Sequence, residues 1–225
     1  MKYVNENGRS MVEMLGVLAI IGVLSVGGIA GYSKAMNKYK INKTTDQVSM
    51  LVANIRTIFS SQGNYAGLTN TTAKKFGVVP NDMYTSESDS KIKNAFNGDV
   101  KIAYDQARAN DTGTGKANEA FTIRYDGLSA EACVTIATGD WGSGQASGLI
   151  AMGAGQTAKV TDAIMKTLQI DTATGVAKPT TEGDAVFAKP GNATSSTPIE
   201  VATAVNACSK ATNAGSGYTV MWKYY

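Results

Sequence analysis

Twenty consecutive residues near the start of the chain, from Met11 to Ala30, carry one charge, at Glu13. A run of ~20 apolar residues is the length that a helix needs to cross the ~30 Å hydrocarbon core of a bilayer. The run can therefore span a membrane. A secretory signal would place small cleavage-site residues after its apolar stretch, but here Gly31 and Tyr32 lead straight into further helical sequence. We expect the run to be retained.

The apolar run continues into a segment with the periodicity of an amphipathic helix. Apolar side chains recur there at spacings of three and four residues, the pattern of a helix with one buried face: Val48, Leu51, Val52, Ile55, Ile58 and Phe59. We predict one helix from Met11 to Phe59, roughly 74 Å long at ~1.5 Å per residue. One compact domain cannot bury a helix of this length, so we expect its first half to enter lipid or to pack against other copies of the chain.

The rest of the sequence predicts an α+β domain with one core. Turn signals such as Gly63-Asn64 and Asn97-Gly98 make Ser60–Ala120 a long loop with short elements. Alternating apolar residues predict strands at Phe121–Tyr125 and Tyr218–Tyr224. We expect one face of the closing strand to lie on the core rather than to form an exposed apolar ladder: Tyr218, Val220, Trp222 and Tyr224.

Three short helices are predicted in the second half of the chain. Ser129 is a candidate N-cap for a helix that carries Cys133 and Ile136. A glycine-rich loop (140–156) precedes a second helix, whose apolar side is predicted to hold Val160, Ala163, Ile164, Thr167 and Leu168. Thr197-Pro198-Ile199-Glu200 has the form of a capping box with proline at the first helical position. It predicts a third helix with a face of Val201, Val205 and Cys208.

Composition argues against an enzyme. The chain has no histidine, which removes the most common general base, the histidine-dependent nucleophile sites and the usual zinc ligands. The glycines around Gly142 and the pair Gly115-Lys116 fail the spacing of nucleotide-binding loops, so no cofactor is expected. With a net charge of +3 and scattered basic residues, binding to nucleic acid is not indicated. The two cysteines suit one disulfide in an oxidising compartment, Cys133 to Cys208, with two free buried thiols as the alternative.

A short polar segment precedes the apolar run, and its last residue, Gly8, lies five residues before Glu13. This arrangement resembles the class III signal of type IV prepilins. The resemblance implies that a membrane-embedded prepilin peptidase cuts between Gly8 and Arg9 and methylates the new amine of Arg9. Glu13 then becomes the fifth residue of the mature chain, with a role in assembly.

An isolated carboxylate within hydrocarbon costs ~2.5–3.5 kcal/mol even on lenient insertion scales, so it persists where it finds a cation. The N-terminal ammonium of an adjacent subunit is such a cation, and pairing with Glu13 would set the axial register of a fibre. The alternative is that Glu13 lies near the membrane edge and extends its carboxylate to the interface.

Other features resemble the type IVb group of pilins. They are the turn-rich 61–85 stretch with Tyr65 and Val79-Pro80, the strand that leads into a cysteine-bearing helix, and the late second cysteine. The resemblance implies a type IV pilin fold: a long N-terminal helical spine packed on a mainly antiparallel sheet, with the disulfide clamping the C-terminal region. It divides the chain into a leader (1–8), an N-terminal helix (9–60, with 11–30 as the transmembrane and polymerisation segment) and a globular head (61–225).

The function implied by the resemblance is that of the major subunit of a type IV pilus. Before assembly, such a protein is a single-pass inner-membrane protein in contact with lipid. The pilus assembly machinery then polymerises it into an extracellular homo-oligomeric fibre. Three alternatives remain open from the sequence: a minor pilin, a pseudopilin of a type II secretion system, and a membrane-anchored binding domain that never polymerises.

Overall fold

A computed structural model describes residues 11–85, 90–108, 118–142, 147–170, 185–191, 196–209 and 217–225. Helix α1 runs from Met11 to Phe59, as the sequence periodicity predicts. The chain divides into two compact units, Met1–Lys40 and Ile41–Tyr225, and α1 contributes residues to both.

In the second unit, α1 buries one face. Four of the six predicted positions are buried: Val48, Leu51, Ile55 and Phe59. Val52 and Ile58 are only partly buried at the edge of the core. Polar Thr44 and Gln47 complete the buried face instead. Gln47 is accommodated because its amide nitrogen donates a hydrogen bond of 3.0 Å to the carboxylate of Asp82.

The sheet of this unit has six strands in the order β1-β2-β3-β6-β4-β5. Their bounds are Ile92–Lys93, Asp99–Asp105, Ala120–Leu128, Leu149–Gln156, Val186–Ala188 and Tyr218–Tyr224, numbered β1 to β6 along the chain. Every pairing between these described strands is antiparallel. The α+β class and the packing of a long helix on an antiparallel sheet are therefore confirmed.

The closing strand β6 lies in the middle of this sheet, between β3 and β4. Its predicted stripe packs on the core, as expected. The other face of the strand is buried as well, because a second apolar cluster covers that side of the sheet. That cluster joins Met221 to Val160, Met165, Leu168 and Phe187.

Strand β2 shows that Ser60–Ala120, predicted as a long loop with short elements, contains a seven-residue strand of the sheet. Val100 and Ile102 are buried while Asp99 and Lys101 are exposed, the alternation of a strand with one covered face. The same stretch holds helix α2 (Asn70–Lys75), a 3₁₀ turn at Asn81–Met83 and strand β1.

Strand β4 corrects the prediction of a glycine-rich loop at 140–156. The glycines of β4 allow close packing of the strand and do not form a turn. A Cβ placed on Gly153 would lie 2.7 Å from the ring of Phe187, and one on Gly155 would lie 2.7 Å from Cα of Ala185. Glycine therefore permits a close approach between the strand and the segment beside it.

Helix α3 (Ala130–Ala137) begins as predicted, because Oγ of Ser129 accepts a hydrogen bond from the backbone nitrogen of Ala132 at 3.2 Å. Helix α4 (Asp162–Thr167) is shorter than predicted, and its apolar side was assigned wrongly. Met165 is buried whereas Ala163 and Ile164 are exposed. Val160 and Leu168 are buried, but they lie outside α4. Their spacing from Ala163 and Ile164 therefore does not follow the period of a helix.

Helix α5 (Val201–Cys208) begins later than the predicted capping box. Glu200 is the N-cap residue and makes no side-chain cap, so Thr197 does not cap the helix and Pro198 is not its first residue. The predicted face is also wrong in part: Cys208 is buried with Ala204 and Ala207, but Val201 and Val205 are 61% and 42% exposed. Alanines on the inner face allow α5 to approach α3 closely, which turns the valines outward.

Candidate assembly site

The first unit presents an apolar surface that is exposed among the residues that the structure describes. Its large apolar side chains are between 51% and 81% exposed: Met11, Val12, Met14, Leu15, Val17, Leu18, Ile20, Ile21, Val23, Leu24, Val26 and Ile29. A helix that is apolar on all sides is stable only in lipid or against other protein. By length and composition, α1 qualifies as a membrane-crossing helix.

The polar side chains within this segment suit such an environment. The hydroxyl of Ser25 donates to the carbonyl of Ile21 at 2.7 Å, and that of Ser33 donates to the carbonyl of Ile29 at 3.0 Å. Both hydroxyls therefore find an acceptor on their own helix, as a lipid-exposed helix requires.

Five glycines leave bare backbone on this helix: Gly16, Gly22, Gly27, Gly28 and Gly31. A Cβ added at any of them would meet nothing within 4 Å in the isolated chain. Packing inside one subunit therefore does not require them. Small residues of this kind allow two helices to approach closely in an apolar environment.

Glu13 lies in the first turn of α1 and is exposed. A carboxylate at this end of a helix interacts favourably with the partial positive charge of the helix dipole. The two residues predicted to form the cleavage site, Gly8 and Arg9, lie outside the described residues. The pairing of Glu13 with an amine therefore stays a prediction.

The predicted disulfide is present between Cys133 and Cys208, whose Cα atoms are 5.9 Å apart. It joins α3 to α5, and both cysteines are fully buried. The bond closes a long loop that contains β4, α4 and β5. In the chain-entropy model a loop of this length contributes roughly 4–5 kcal/mol to the free energy of unfolding.

Arg56 connects the end of α1 to the end of the chain. Its Nη2 donates to the carbonyls of Ser147 at 2.9 Å and Tyr225 at 3.2 Å, and its guanidinium carbon lies 5.1 Å from the ring centroid of Tyr224. These contacts were not predicted from the sequence. The indication for them was an arginine directly after Ile55, within the amphipathic part of the helix.

A buried ion pair connects strands β6 and β2 with α4. Nζ of Lys223 lies 3.0 Å from Oδ2 of Asp105 and donates to the carbonyl of Met165 at 3.3 Å. Burial lowers the pKa of Lys223, and the nearby carboxylate of Asp105 opposes that shift. This pair was not predicted either, although a lysine between Trp222 and Tyr224 was an indication of it.

Among the residues that the structure describes, no group of three or more histidine, cysteine, aspartate or glutamate side chains is placed to hold a metal ion. The features with functional potential are therefore the exposed apolar helix, the carboxylate at its start and the disulfide.

Several known proteins are similar to this chain in sequence. A family model described as "PilS N terminal" matches residues 38–222. The major structural subunit of the bundle-forming pilus of Escherichia coli is 27% identical over 135 residues, which are 59% of this chain and 64% of that protein. Toxin coregulated pilin of Vibrio cholerae is 26% identical over 140 residues, 61% of this chain and 59% of that protein. Each match thus spans less than two thirds of the relative's length.

Two solved structures are also similar. The type IV pilin TcpA of the Vibrio cholerae El Tor biotype is 19% identical, with a TM-score of 0.49, over 83% of this chain and 99% of that one. A type IVb pilin of Salmonella typhi is 20% identical, with a TM-score of 0.45, over 81% of this chain and 97% of that one.

Proposed function

Because this chain belongs to the PilS N-terminal family, we propose that it is the major structural subunit of a type IV pilus. The observation that carries the proposal is the exposed apolar segment of α1, which has no partner within the described part of the chain. Both curated relatives are pilins by name, and the name of one specifies a major structural subunit. The role is structural rather than enzymatic.

The subunit is made as a prepilin with the leader 1–8, followed by the helix 9–60 and the globular head 61–225. Prepilin peptidase cuts between Gly8 and Arg9, and the new amine of Arg9 is methylated. Before assembly, the segment 11–30 crosses the inner membrane once. The length and composition of this apolar run support that topology.

Assembly transfers the same apolar segments from lipid into the centre of a fibre. The pilus assembly machinery in the inner membrane extracts the subunits, which become a homo-oligomer outside the cell. Glu13 guides this step by pairing with the N-terminal amine of a neighbouring subunit. Any other axial stagger would leave a charge unpaired in apolar surroundings.

The test is microscopy of material sheared from the cell surface, combined with mass spectrometry of its subunit. A major pilin predicts abundant fibres composed mainly of this chain. A minor pilin would be a trace component of such fibres. A pseudopilin or a non-polymerising anchored domain would be absent from them, and finding the chain only in the membrane fraction would overturn the proposal.

A further inference from the structure

A ring of tyrosines and lysines follows the apolar run directly. Tyr32, Lys34, Lys38 and Tyr39 are all exposed on α1, and we call these four residues the interfacial belt. The tyrosine side chains are 67% and 58% exposed. The belt begins two residues after the last residue of the run, at Ala30.

The spacing within the belt distributes its side chains around the helix. Tyr32 and Tyr39 are seven residues apart and share one side, while Lys34 and Lys38 are four apart and share another. At ~100° per residue, the two pairs point in directions about 130° apart around the helix. The belt is about 10 Å long at ~1.5 Å per residue, comparable to the polar layer on one side of a bilayer.

The charged side chains in and around the belt are all positive. No aspartate or glutamate occurs between Glu13 and Asp46, whereas the second half of that interval carries Lys34, Lys38, Lys40 and Lys43. Lys43 forms an ion pair with Asp82 at 2.9 Å. The belt lysines thus lie in a stretch of α1 that offers no carboxylate of its own.

The orientation makes these lysines unusual. In the proposed topology the leader lies in the cytoplasm, so the belt lies on the opposite side of the membrane. Lysine and arginine normally accumulate on the cytoplasmic side of a membrane helix. Basic residues on the other side are stabilised by a negatively charged partner at that surface.

We propose that the interfacial belt binds the phosphate groups of anionic phospholipids in the outer leaflet of the inner membrane. The ammonium groups of Lys34 and Lys38 contact lipid phosphates, while the rings of Tyr32 and Tyr39 lie at the level of the headgroups. The inference rests on the proposed function, because it concerns the subunit before polymerisation. It assigns the belt the role of setting the depth of the helix in the membrane.

The test uses the full chain in lipid nanodiscs of phosphatidylcholine and phosphatidylglycerol at 4:1. Mass spectrometry of the protein released with its bound lipids measures the share of phosphatidylglycerol. The test variant is Lys34→Gln/Lys38→Gln. The matched control, Lys75→Gln/Lys159→Gln, removes the same charge from two exposed positions in the second unit.

We expect wild type and control to retain phosphatidylglycerol over phosphatidylcholine by roughly thirtyfold relative to the disc, since each of the two lysines near an anionic surface contributes ~1 kcal/mol and ~1.4 kcal/mol is tenfold. The share retained by the test variant should fall towards the composition of the disc. High salt should reduce the wild-type preference, because it screens exposed charges.

Several results would overturn the inference, and they are distinguishable. If the wild type enters the discs but retains no excess of phosphatidylglycerol, or if the test variant retains the same excess, the role of the belt is wrong. The proposed function is then unaffected. Failure of the wild type to incorporate into discs of any composition would overturn the membrane stage of the proposed function, and the belt with it. Fewer crosslinks between subunits in the test variant, with unchanged lipid, would identify a second copy as the partner.

Discussion

Lys223 and Asp105 form an ion pair of 3.0 Å in which the lysine side chain is fully buried and the aspartate side chain is 5% exposed. The pair reaches across β3 from the centre of the sheet to the end of β2. The same ammonium binds a carbonyl of α4. One lysine therefore holds together three elements that are distant in sequence.

Removing one partner of this pair should be far more harmful than removing both. Asp105→Ala leaves an ammonium buried without its counter-charge, which typically costs ~3–5 kcal/mol. The double variant Asp105→Leu/Lys223→Met replaces the charges with apolar groups and should recover most of that loss. Urea unfolding of the purified protein measures both effects. Wild-type stability of Asp105→Ala would contradict this role of the pair.

Alkaline pH should weaken the fold through Tyr224. Burial raises the pKa of its phenol to about 12, and the nearby guanidinium of Arg56 opposes part of that shift. Between about pH 10 and 12 the unfolded chain has lost this proton while the folded chain keeps it, so stability falls as pH rises. For two pKa units the loss approaches ~3 kcal/mol.

Tyr224→Phe removes that titration and should make the alkaline part of the stability curve less steep. Tyr104→Phe, at an exposed position, is the matched control for the loss of one phenol. Urea unfolding at a series of pH values between 8 and 12 gives the comparison. Parallel curves for wild type and Tyr224→Phe would show that the buried phenol does not set the alkaline limit.

The sequence predicted the elements whose signals are local. The periodicity that ends at Phe59 is complete within α1, and the capping serine Ser129 lies directly before α3. The closing strand also alternates clearly. Its full burial was not predictable, because the second apolar layer depends on Met165 and Phe187, which belong to other parts of the chain.

The elements that were missed depend on distant partners. The glycines of β4 resemble loop glycines until Phe187 is placed against Gly153. The valines of α5 resemble a buried face until the disulfide and Ala204 set the opposite side against α3. In both cases the local composition predicted the wrong environment: a loop for the glycines and the core for the valines. Contacts between segments that are distant in sequence determine where these residues lie.

The disulfide should stabilise the folded head rather than take part in assembly chemistry. Cys208→Ser should lower the free energy of unfolding by ~2–5 kcal/mol and increase sensitivity to protease. Val205→Ser, on the exposed side of the same helix, should change stability by no more than ~0.5 kcal/mol. Equal thermal stability of Cys208→Ser and the oxidised wild type would contradict the structural role.

Processing at Gly8 can be tested by measuring the intact mass of the exported protein. The five-residue spacing to Glu13 predicts a mature chain that begins at Arg9, one methyl group heavier if the amine is methylated. A mature protein that retains residues 1–8, or one that begins after Ala30, would show that the leader was assigned wrongly.

Glu13 distinguishes a polymerising subunit from a domain that is only anchored. Glu13→Val removes a charge from the helix, so membrane insertion should be unchanged or easier. Leader cleavage should continue because Gly8 is intact. Fibre assembly should fall sharply, because each added subunit would carry an unpaired ammonium at a cost of ~3–5 kcal/mol. Val12→Ile, which leaves the charge in place, is the matched control.

The most direct measurement compares, in cells that express only the variant, processed subunit in the membrane fraction with subunit in sheared surface fibres. For Glu13→Val we predict normal amounts of processed protein in the membrane and almost none in fibres, with Val12→Ile close to wild type in both fractions. Wild-type fibre yield from Glu13→Val, alongside normal processing, would contradict the assembly role of this carboxylate.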